Sequence, residues 1–284
     1  MKFEPEIRIG ERVFAYVDTQ RDGITAIYKD QTSYLRIGDA TKIQKDLSLH
    51  KKMEKYVFPV AKVLAEGEVG GMAYFVEESL GDKCFGQLFK NENNTVGAVR
   101  DVTFDTFFEI CAKFAKAQLR TVTQRKDWSD FENGIHLELL YQELPEWKEK
   151  IAYKFEKVKE CLSVFPFVIT HGDFSAFNIY PKGVIDLEDS FMGPAGYDVV
   201  NVLEHLNWFP ESGDYEFHRV SSCTPQQKMR FFTSMDKIYQ QHHLPKISLY
   251  VADFDFVKGV WHTVRMRHTP KLQQFRYSLL KSLL

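Results

Sequence analysis

The stretch THGDFSAFNIYPKGVIDLEDS, from Thr170 to Ser190, decides how this chain folds and what it can do. Its apolar pattern predicts a buried strand, a loop and two further strand pieces, with Pro181-Lys182-Gly183 turning the chain between the last two. The same stretch carries a histidine, an asparagine and four acidic side chains. Polar groups concentrated beside buried strands indicate a chemical site on a rigid scaffold.

Three polar side chains of this stretch suit one kind of chemistry. Asn178 precedes one strand piece and Asp186 follows the next, so a hairpin would place them at neighbouring ends. Asp173 lies five positions before Asn178, on the loop. Mg²⁺ prefers oxygen ligands and keeps positions for phosphate, which suits one amide and one carboxylate. A separate carboxylate can orient a hydroxyl and take its proton, so the set indicates metal-assisted phosphoryl transfer.

The composition limits the classes of partner. The chain has 284 residues, of which 44% are hydrophobic, enough for a large core in one or two domains. A formal net charge of −2 requires neither nucleic acid nor an anionic membrane as a partner. The four cysteines form no CxxC pair and the nine histidines form no HExxH motif, so we expect no structural metal and no disulfide framework.

The sequence also predicts neither a signal peptide nor a membrane span. Its first residues contain no apolar h-region, and no window approaches eighteen consecutive apolar residues. We therefore expect a cytoplasmic protein without a membrane partner. No feature of the sequence indicates an obligate protein partner.

The elements predict two parts that meet near a connector at residues 77–82. Residues 1–79 read as a small β-rich part, with strands at RVFAYV, ITAIY and SYLRIG. One helix, capped by Asp39, is predicted to run to about Tyr56, with Ile43, Leu47, His50 and Met53 near one face. Residues 80–284 read as mainly helical, with Pro145 breaking one long helical pattern. The apolar spacing predicts the main helices over 103–119, 137–162, 196–208, 225–243 and 247–268.

The motif spacing resembles one known family. His171-Gly172-Asp173, then Asn178, then Val184-Ile185-Asp186, and finally Tyr197-Asp198 are similar to the catalytic segment of the aminoglycoside phosphotransferase/choline kinase family. The resemblance implies an α+β, bilobal protein-kinase-like fold with a small β-rich N-lobe (1–79) and a larger, mainly helical C-lobe (80–284). It implies transfer of the γ-phosphate of ATP, or of GTP, with Mg²⁺, onto a small-molecule hydroxyl.

The resemblance assigns roles to residues of the motif. Asp173 is the expected catalytic base, and Asn178 and Asp186 are the expected Mg²⁺ ligands. His171 is expected to brace the loop rather than to react. Asp198 is expected to accept hydrogen bonds from the backbone of that loop.

The nucleotide side of the site follows the family less closely. The third strand of the pattern places Arg36 where the family holds phosphate with a basic residue, and counting along the following helix places Asp46 as its acidic partner, with Glu54 as the fallback. Backbone groups from Glu77 to Ser79 are expected to meet the nucleotide base. The chain has no GxGxxG loop.

The acceptor is the least defined part of the prediction. Asp189, Glu204 and Trp208 are weak candidates for contacting it, since acids near aromatic rings can bind a cationic amine. An aminoglycoside, an amino sugar or a similar small molecule is the leading acceptor class, and a choline/ethanolamine-type kinase is the alternative. A nucleotide-binding pseudokinase or regulatory module is the alternative of another class, because Arg36 with Asp46 departs from the commoner pair.

Overall fold

The structure of the protein, a computed structural model, describes residues 3–19, 23–123, 125–209, 222–265 and 270–284. The chain divides into two compact units. The first unit comprises Met1–Asp82 and Lys182–Glu188, and the second comprises Lys83–Pro181 and Asp189–Leu284. The chain therefore passes between the units three times, whereas the sequence analysis placed a single boundary after residue 79.

A six-stranded antiparallel sheet forms the frame of the first unit. Its strands are β1 (Glu6–Ile9), β2 (Arg12–Thr19), β3 (Thr25–Lys29), β4 (Ser33–Gly38), β5 (Val63–Val69) and β6 (Met72–Glu78). They lie in the order β1-β2-β3-β4-β6-β5. The three strands predicted from their β-branched and aromatic residues are present as β2, β3 and β4, while the four-residue β1 was missed because so short a run carries little pattern.

Helix α1 (Ala40–Lys55) begins where the sequence predicts it. The side chain of Asp39 accepts a hydrogen bond from the backbone N–H of Lys42 at 3.0 Å, which satisfies one of the unpaired donors of the first turn. One face of the helix is buried in the first unit, and Ile43 and Leu47 belong to one apolar cluster with Ala73 and Phe75 of β6. The buried residues of this face are those predicted: Ile43, Leu47, His50 and Met53.

A short segment from much later in the chain completes the first unit. The backbone N–H of Val184, in strand β9 (Gly183–Val184), donates to the carbonyl oxygen of Pro59 at 2.7 Å. Val60 and Val184 also form a parallel bridge. Gly183 is required at this approach, because a β-carbon there would overlap the Pro59 carbonyl oxygen.

The second unit is mainly helical. Strand β7 (Phe167–Ile169) pairs antiparallel with strand β10 (Met192–Pro194), which the sequence did not predict because Gly and Pro are poor strand formers. The remaining elements are α2 (Phe85–Val96), α3 (Asp101–Gln118), α4 (Trp128–Gly134), α5 (Leu137–Glu143), α6 (Lys148–Leu162), β8 (Ile179–Tyr180), α7 (Tyr197–Glu204), α8 (Pro225–Gln241), α9 (Val251–Arg265) and α10 (Pro270–Ser282).

The predicted helix break and helix ends agree with these bounds. A 3₁₀ turn at Pro145–Trp147 separates α5 from α6, as expected from a proline that removes a backbone donor. The segment predicted over 247–268 begins as a 3₁₀ turn at Ile247–Tyr250 and continues as α9; residues 266–268 lie outside the described residues. Within the described ranges, no helix combines the length and the apolar character that crossing a membrane requires.

The contact between Gly259 and Trp208 tests the packing of the second unit. Both residues are buried, and a β-carbon on Gly259 would overlap the indole ring. We expect Gly259→Ala to lower the free energy of unfolding by about 1–3 kcal/mol, because the ring must shift in a packed core. An alanine in an uncrowded helix position would instead stabilise by about 1 kcal/mol. A lower denaturant midpoint in Gly259→Ala would support the described packing against Trp208, and a higher midpoint would contradict it.

Candidate active site

A buried carboxylate holds the start of the loop that follows β7. Asp198, in the first turn of α7, accepts hydrogen bonds from the backbone N–H groups of His171 at 2.8 Å and Gly172 at 3.2 Å. The side chain of Gln118 donates to the same carboxylate at 2.6 Å. Burial raises the pKa of Asp198, against these hydrogen bonds and the nearby Lys258. The prediction that Asp198 braces the loop is confirmed.

The loop turns sharply at its second residue. Gly172 has a φ of +83°, in the left-handed region that favours glycine. A β-carbon there would also overlap the carbonyl oxygen of Asp189. The imidazole of His171 is buried beside Phe114 and Phe174, with ring centroids 6.0 and 5.6 Å away. This position supports the expectation that His171 braces the loop.

The loop brings Asp173 and Asn178 into contact. The side-chain amide of Asn178 donates to the backbone carbonyl of Asp173 at 2.8 Å and to its Oδ2 at 3.3 Å. The backbone N–H of Asn178 donates to the carbonyl of Ser175 at 2.9 Å, which closes the turn between them. The side chain of Asp173 remains 32% exposed. The Asp173 carboxylate is thus held by its neighbours and still accessible to the hydroxyl group of a small molecule in solution.

Lys258 is a residue of this site that sequence reasoning missed. Its Nζ donates to the carbonyl oxygen of Gly172 at 2.6 Å and lies 4.0 Å from Oδ1 of Asp173. The side chain is 1% exposed, and its Nζ lies over the rings of Trp261 at 3.7 Å and Tyr197 at 5.4 Å. A lysine between the apolar pairs Phe256-Val257 and Val260-Trp261 was the available signal, because lysine is almost never buried without partners.

Burial lowers the pKa of Lys258 to about 8, although nearby carboxylates oppose the shift. Asp173, Asp198 and Asp189 raise it, and Arg265 lowers it further. Lys258 is consequently a group whose charge is lost at a much lower pH than that of an exposed lysine.

The three acceptor candidates lie in the second unit and are already engaged. Asp189 accepts from Arg265 at 2.7 Å, between an Nη and Oδ2. Glu204 is buried and pairs with Lys228 at 2.7 Å. Trp208 is fully buried and donates from Nε1 to Asp255 at 2.8 Å, and burial raises the pKa of Asp255 to about 6. The position of Trp208 in the core does not support its predicted contact with an acceptor.

Arg36 in the first unit has a different partner from the predicted one. Its Nε donates to Oε1 of Glu77 at 2.9 Å. Glu77 lies on the neighbouring strand β6, two residues along from Phe75, which is directly opposite Arg36. The two side chains are therefore diagonal neighbours on one face of the sheet.

The predicted pairing of Arg36 with Asp46 is corrected by these contacts. Asp46 shares a pocket with Arg36, but its ion pair in the structure is with Lys42, one helical turn earlier, at 3.7 Å. Glu54, the fallback, accepts from the backbone N–H of Val63 at 2.9 Å. Counting residues along α1 does not tell which way their side chains point. The buried residue of α1 that reaches Glu77 is His50, four residues after Asp46.

The pocket around Arg36 is rich in carboxylates. Burial works to lower the pKa of Arg36, but Glu77, Asp186 and Asp46 outweigh it and raise the pKa. Asp186 has a φ of +64°, a conformation uncommon for a residue with a side chain. The pocket is lined by the polar residues Arg36, Asp46, His50, Glu77, Asp186 and Glu188 and by the apolar residues Leu49, Phe75 and Leu187.

Ser79 follows β6 directly. Its backbone N–H donates to the carbonyl of Thr32 at 2.9 Å, so this donor serves the sheet. Its hydroxyl accepts from the backbone N–H of Gly81 at 3.4 Å. The expected contact of the Glu77–Ser79 backbone with a nucleotide base stays a prediction.

The lowered pKa of Lys258 predicts how stability depends on pH. Between pH 8 and 10.5 the unfolded chain still holds a proton that folded Lys258 has released, so stability should rise with pH across this window. We expect the wild type to gain up to about 3 kcal/mol relative to Lys258→Met over that range.

Denaturant titrations of both proteins across that window measure this difference. The variant cancels the contributions of the tyrosines, which ionise over the same pH values in both proteins. Parallel stability curves would show that Lys258 is not buried as described.

Comparison with known proteins identifies the family. The profile of the phosphotransferase enzyme family APH matches residues 12–231. A choline/ethanolamine kinase family protein of Mesorhizobium loti has a similar structure, with 13% identity, a TM-score of 0.53 and coverage of 95% of this chain and 87% of the other. The aminoglycoside phosphotransferase APH(3'')-Id of Streptomyces rimosus is similar at 11% identity and a TM-score of 0.53, over 85% of this chain and 92% of that one.

No curated protein matches the chain in sequence. The two solved structures confirm the predicted kinase-like α+β fold, with its antiparallel N-terminal sheet and mainly helical remainder. The family match covers strands β2 to β6 of the sheet and the loop that carries Asp173. The chain belongs to the APH phosphotransferase enzyme family.

Proposed function

We propose that the protein transfers the γ-phosphate of ATP, or of GTP, to a hydroxyl of a small molecule such as an aminoglycoside or an amino sugar, with Mg²⁺. The observation that carries the proposal is the loop in which Asn178 holds Asp173 while Asp198 holds the preceding backbone. Membership of a phosphotransferase family supports the reaction class.

Asp173 is proposed as the catalytic base. Its carboxylate is partly exposed, and Asn178 restricts its orientation through two hydrogen bonds from one amide. A carboxylate so placed can accept a hydrogen bond from an acceptor hydroxyl and take its proton as the phosphorus–oxygen bond forms. Lys258 donates to the carbonyl oxygen of Gly172, immediately before Asp173, and so fixes the backbone at that point.

Arg36 is proposed to bind the phosphates of the nucleotide. A guanidinium has five donors, and Glu77 occupies Nε, so the remaining N–H groups have the geometry to grip phosphate oxygens. The Glu77 carboxylate keeps the Arg36 side chain fixed before a nucleotide arrives. Asp46 is proposed to act through the charge of this pocket rather than as the direct partner of Arg36.

The residues present fit a magnesium ion that takes some of its ligands from the protein and others from phosphate. Asp186 adds a carboxylate to a pocket already rich in them, and Asn178 offers an amide oxygen. Among the described residues, no three His, Cys, Asp or Glu side chains form a metal site by themselves. When bound, the ion would neutralise charge on the phosphates. Asn178 and Asp186 are proposed as its protein ligands, as the resemblance of the motif implies.

The acceptor class rests on fewer observations. Arg265 pairs with Asp189, and Lys228 pairs with Glu204, so each predicted acidic contact is matched by a cation. Together with the burial of Trp208, this weakens the case for an aromatic cage around a quaternary amine of the choline type. Asp189 and Glu204 remain candidates for contacting an acceptor that carries both hydroxyl and amine groups.

Loss of the base provides the first test. We expect Asp173→Asn to lower ADP release from Mg-ATP in the presence of the acceptor by about 100- to 10,000-fold, because the amide cannot take the hydroxyl proton. A panel of aminoglycosides, amino sugars, choline, ethanolamine, nucleosides and hydroxy-amino acids identifies the acceptor. Glu160→Gln, at an exposed position, is the control with unchanged turnover. Full turnover in Asp173→Asn would refute the assigned role, and nucleotide binding without transfer to any acceptor would favour the pseudokinase.

The metal assignment predicts a change in magnesium requirement. We expect Asp186→Asn to raise the Mg²⁺ concentration for half-maximal turnover at least about tenfold, because a ligand charge is lost. Glu188→Gln, two residues later and paired with Lys42, should give a smaller shift. A magnesium titration at saturating nucleotide measures both variants. Equal shifts would show that the pocket responds to charge alone and that Asp186 is not a ligand.

A further inference from the structure

We propose that His50 is a positioning residue for nucleotide binding: it holds the carboxylate that holds Arg36, and so links helix α1 to the phosphate-binding arginine. The inference rests on the proposed role of Arg36. It assigns to a histidine of α1, acting through Glu77 of β6, the link that the sequence analysis assigned to an acid of α1.

The two oxygens of Glu77 have separate partners. Oε1 accepts from Nε of Arg36 at 2.9 Å, and Oε2 lies 3.6 Å from Nδ1 of His50. Both carboxylate oxygens are therefore directed, one toward the strand arginine and one toward the helix. The second distance is longer than a hydrogen bond, so the contact with His50 is an ion pair that requires the protonated, positively charged ring.

The other ring nitrogen orients the imidazole. Nε2 of His50 lies 2.5 Å from the carbonyl oxygen of Ala61. A carbonyl oxygen and a carboxylate oxygen both only accept, so the ring holds both partners when each nitrogen carries a hydrogen, Nε2 toward Ala61 and Nδ1 toward Glu77. The ring also packs edge-on against Phe75, with centroids 6.0 Å apart. With the ring held by Ala61 and Phe75, the position of Nδ1 is fixed relative to Glu77.

This arrangement joins three segments of the first unit at one point. His50 belongs to α1, Ala61 to the segment between α1 and β5, and Glu77 to β6. All three residues are buried. A displacement of α1 would withdraw the ring from Glu77 and release the carboxylate that aligns Arg36. The position of the helix is thereby coupled to the geometry of the guanidinium.

A histidine that served only as core packing would not depend on Glu77. The test therefore measures nucleotide affinity, not stability alone, in a double-mutant cycle between positions 50 and 77. His50→Gln keeps an amide that can reach the Ala61 carbonyl and removes the nitrogen that faces Glu77. His50→Leu removes both. Lys52→Gln, on the exposed face of α1, is the matched control.

The readout is the Kd for Mg-ADP and Mg-ATP by calorimetry, without any acceptor and well below the melting temperature of each variant. We expect His50→Gln and His50→Leu to weaken binding about tenfold, or about 1.4 kcal/mol. In a Glu77→Gln background, the same substitutions should change the Kd less than about twofold, because the carboxylate they act through is gone. Lys52→Gln should bind as the wild type does.

Each other outcome overturns the inference in a recognisable way. If His50→Leu lowers the melting temperature and leaves the Kd unchanged, His50 is a packing residue and the nucleotide proposal stands. If the effects at positions 50 and 77 add independently, the two residues do not act on Arg36 together. If the wild type binds neither nucleotide, the proposed function fails, and this inference fails with it.

Discussion

The carboxylate of Asp198 is the constraint on which the geometry of the second unit's site depends. It is fully buried and takes three donors at once, two of them backbone N–H groups of the loop that follows β7. An unsatisfied buried N–H costs about 1–3 kcal/mol, so the loop has no equally good alternative position. Because the start of the loop is fixed in this way, Asp173 leaves it in a defined direction and meets Asn178.

Two buried cations, Arg36 and Lys258, have pKa values that are shifted in opposite directions. Arg36 donates to a carboxylate and faces two more, so its charge is stabilised and its pKa raised. Lys258 donates to a neutral carbonyl, and its Nζ lies 4.0 Å from the carboxylate of Asp173, so burial prevails and its pKa falls. An arginine is thus permanently charged in the pocket with Asp186, while a lysine beside Asp173 loses its charge within an accessible pH range.

The local sequence pattern predicts most of the fold, and the errors concern the directions in which side chains point. The buried face of α1 and its cap at Asp39 followed from helical spacing, and the kinase-like architecture followed from one loop motif. Spacing along α1 does not say which residue reaches a given strand. It therefore predicts Asp46 as the partner of Arg36, whereas Arg36 pairs with Glu77, and the α1 residue that reaches Glu77 is His50. Lys258 acts on Gly172 across 86 positions, a contact that no local pattern encodes.

The return of Lys182–Glu188 to the first unit has a consequence for biosynthesis. The sheet of the first unit lies within the first 78 residues, yet the backbone acceptor of Pro59 is satisfied by Val184, and Asp186 lines the pocket that holds Arg36. On the ribosome, residues 1–82 emerge about a hundred residues before that segment, at about 5–20 residues per second. For several seconds, therefore, the carbonyl oxygen of Pro59 lacks the donor that Val184 later supplies. A fragment ending at Asp82 would lack that donor permanently.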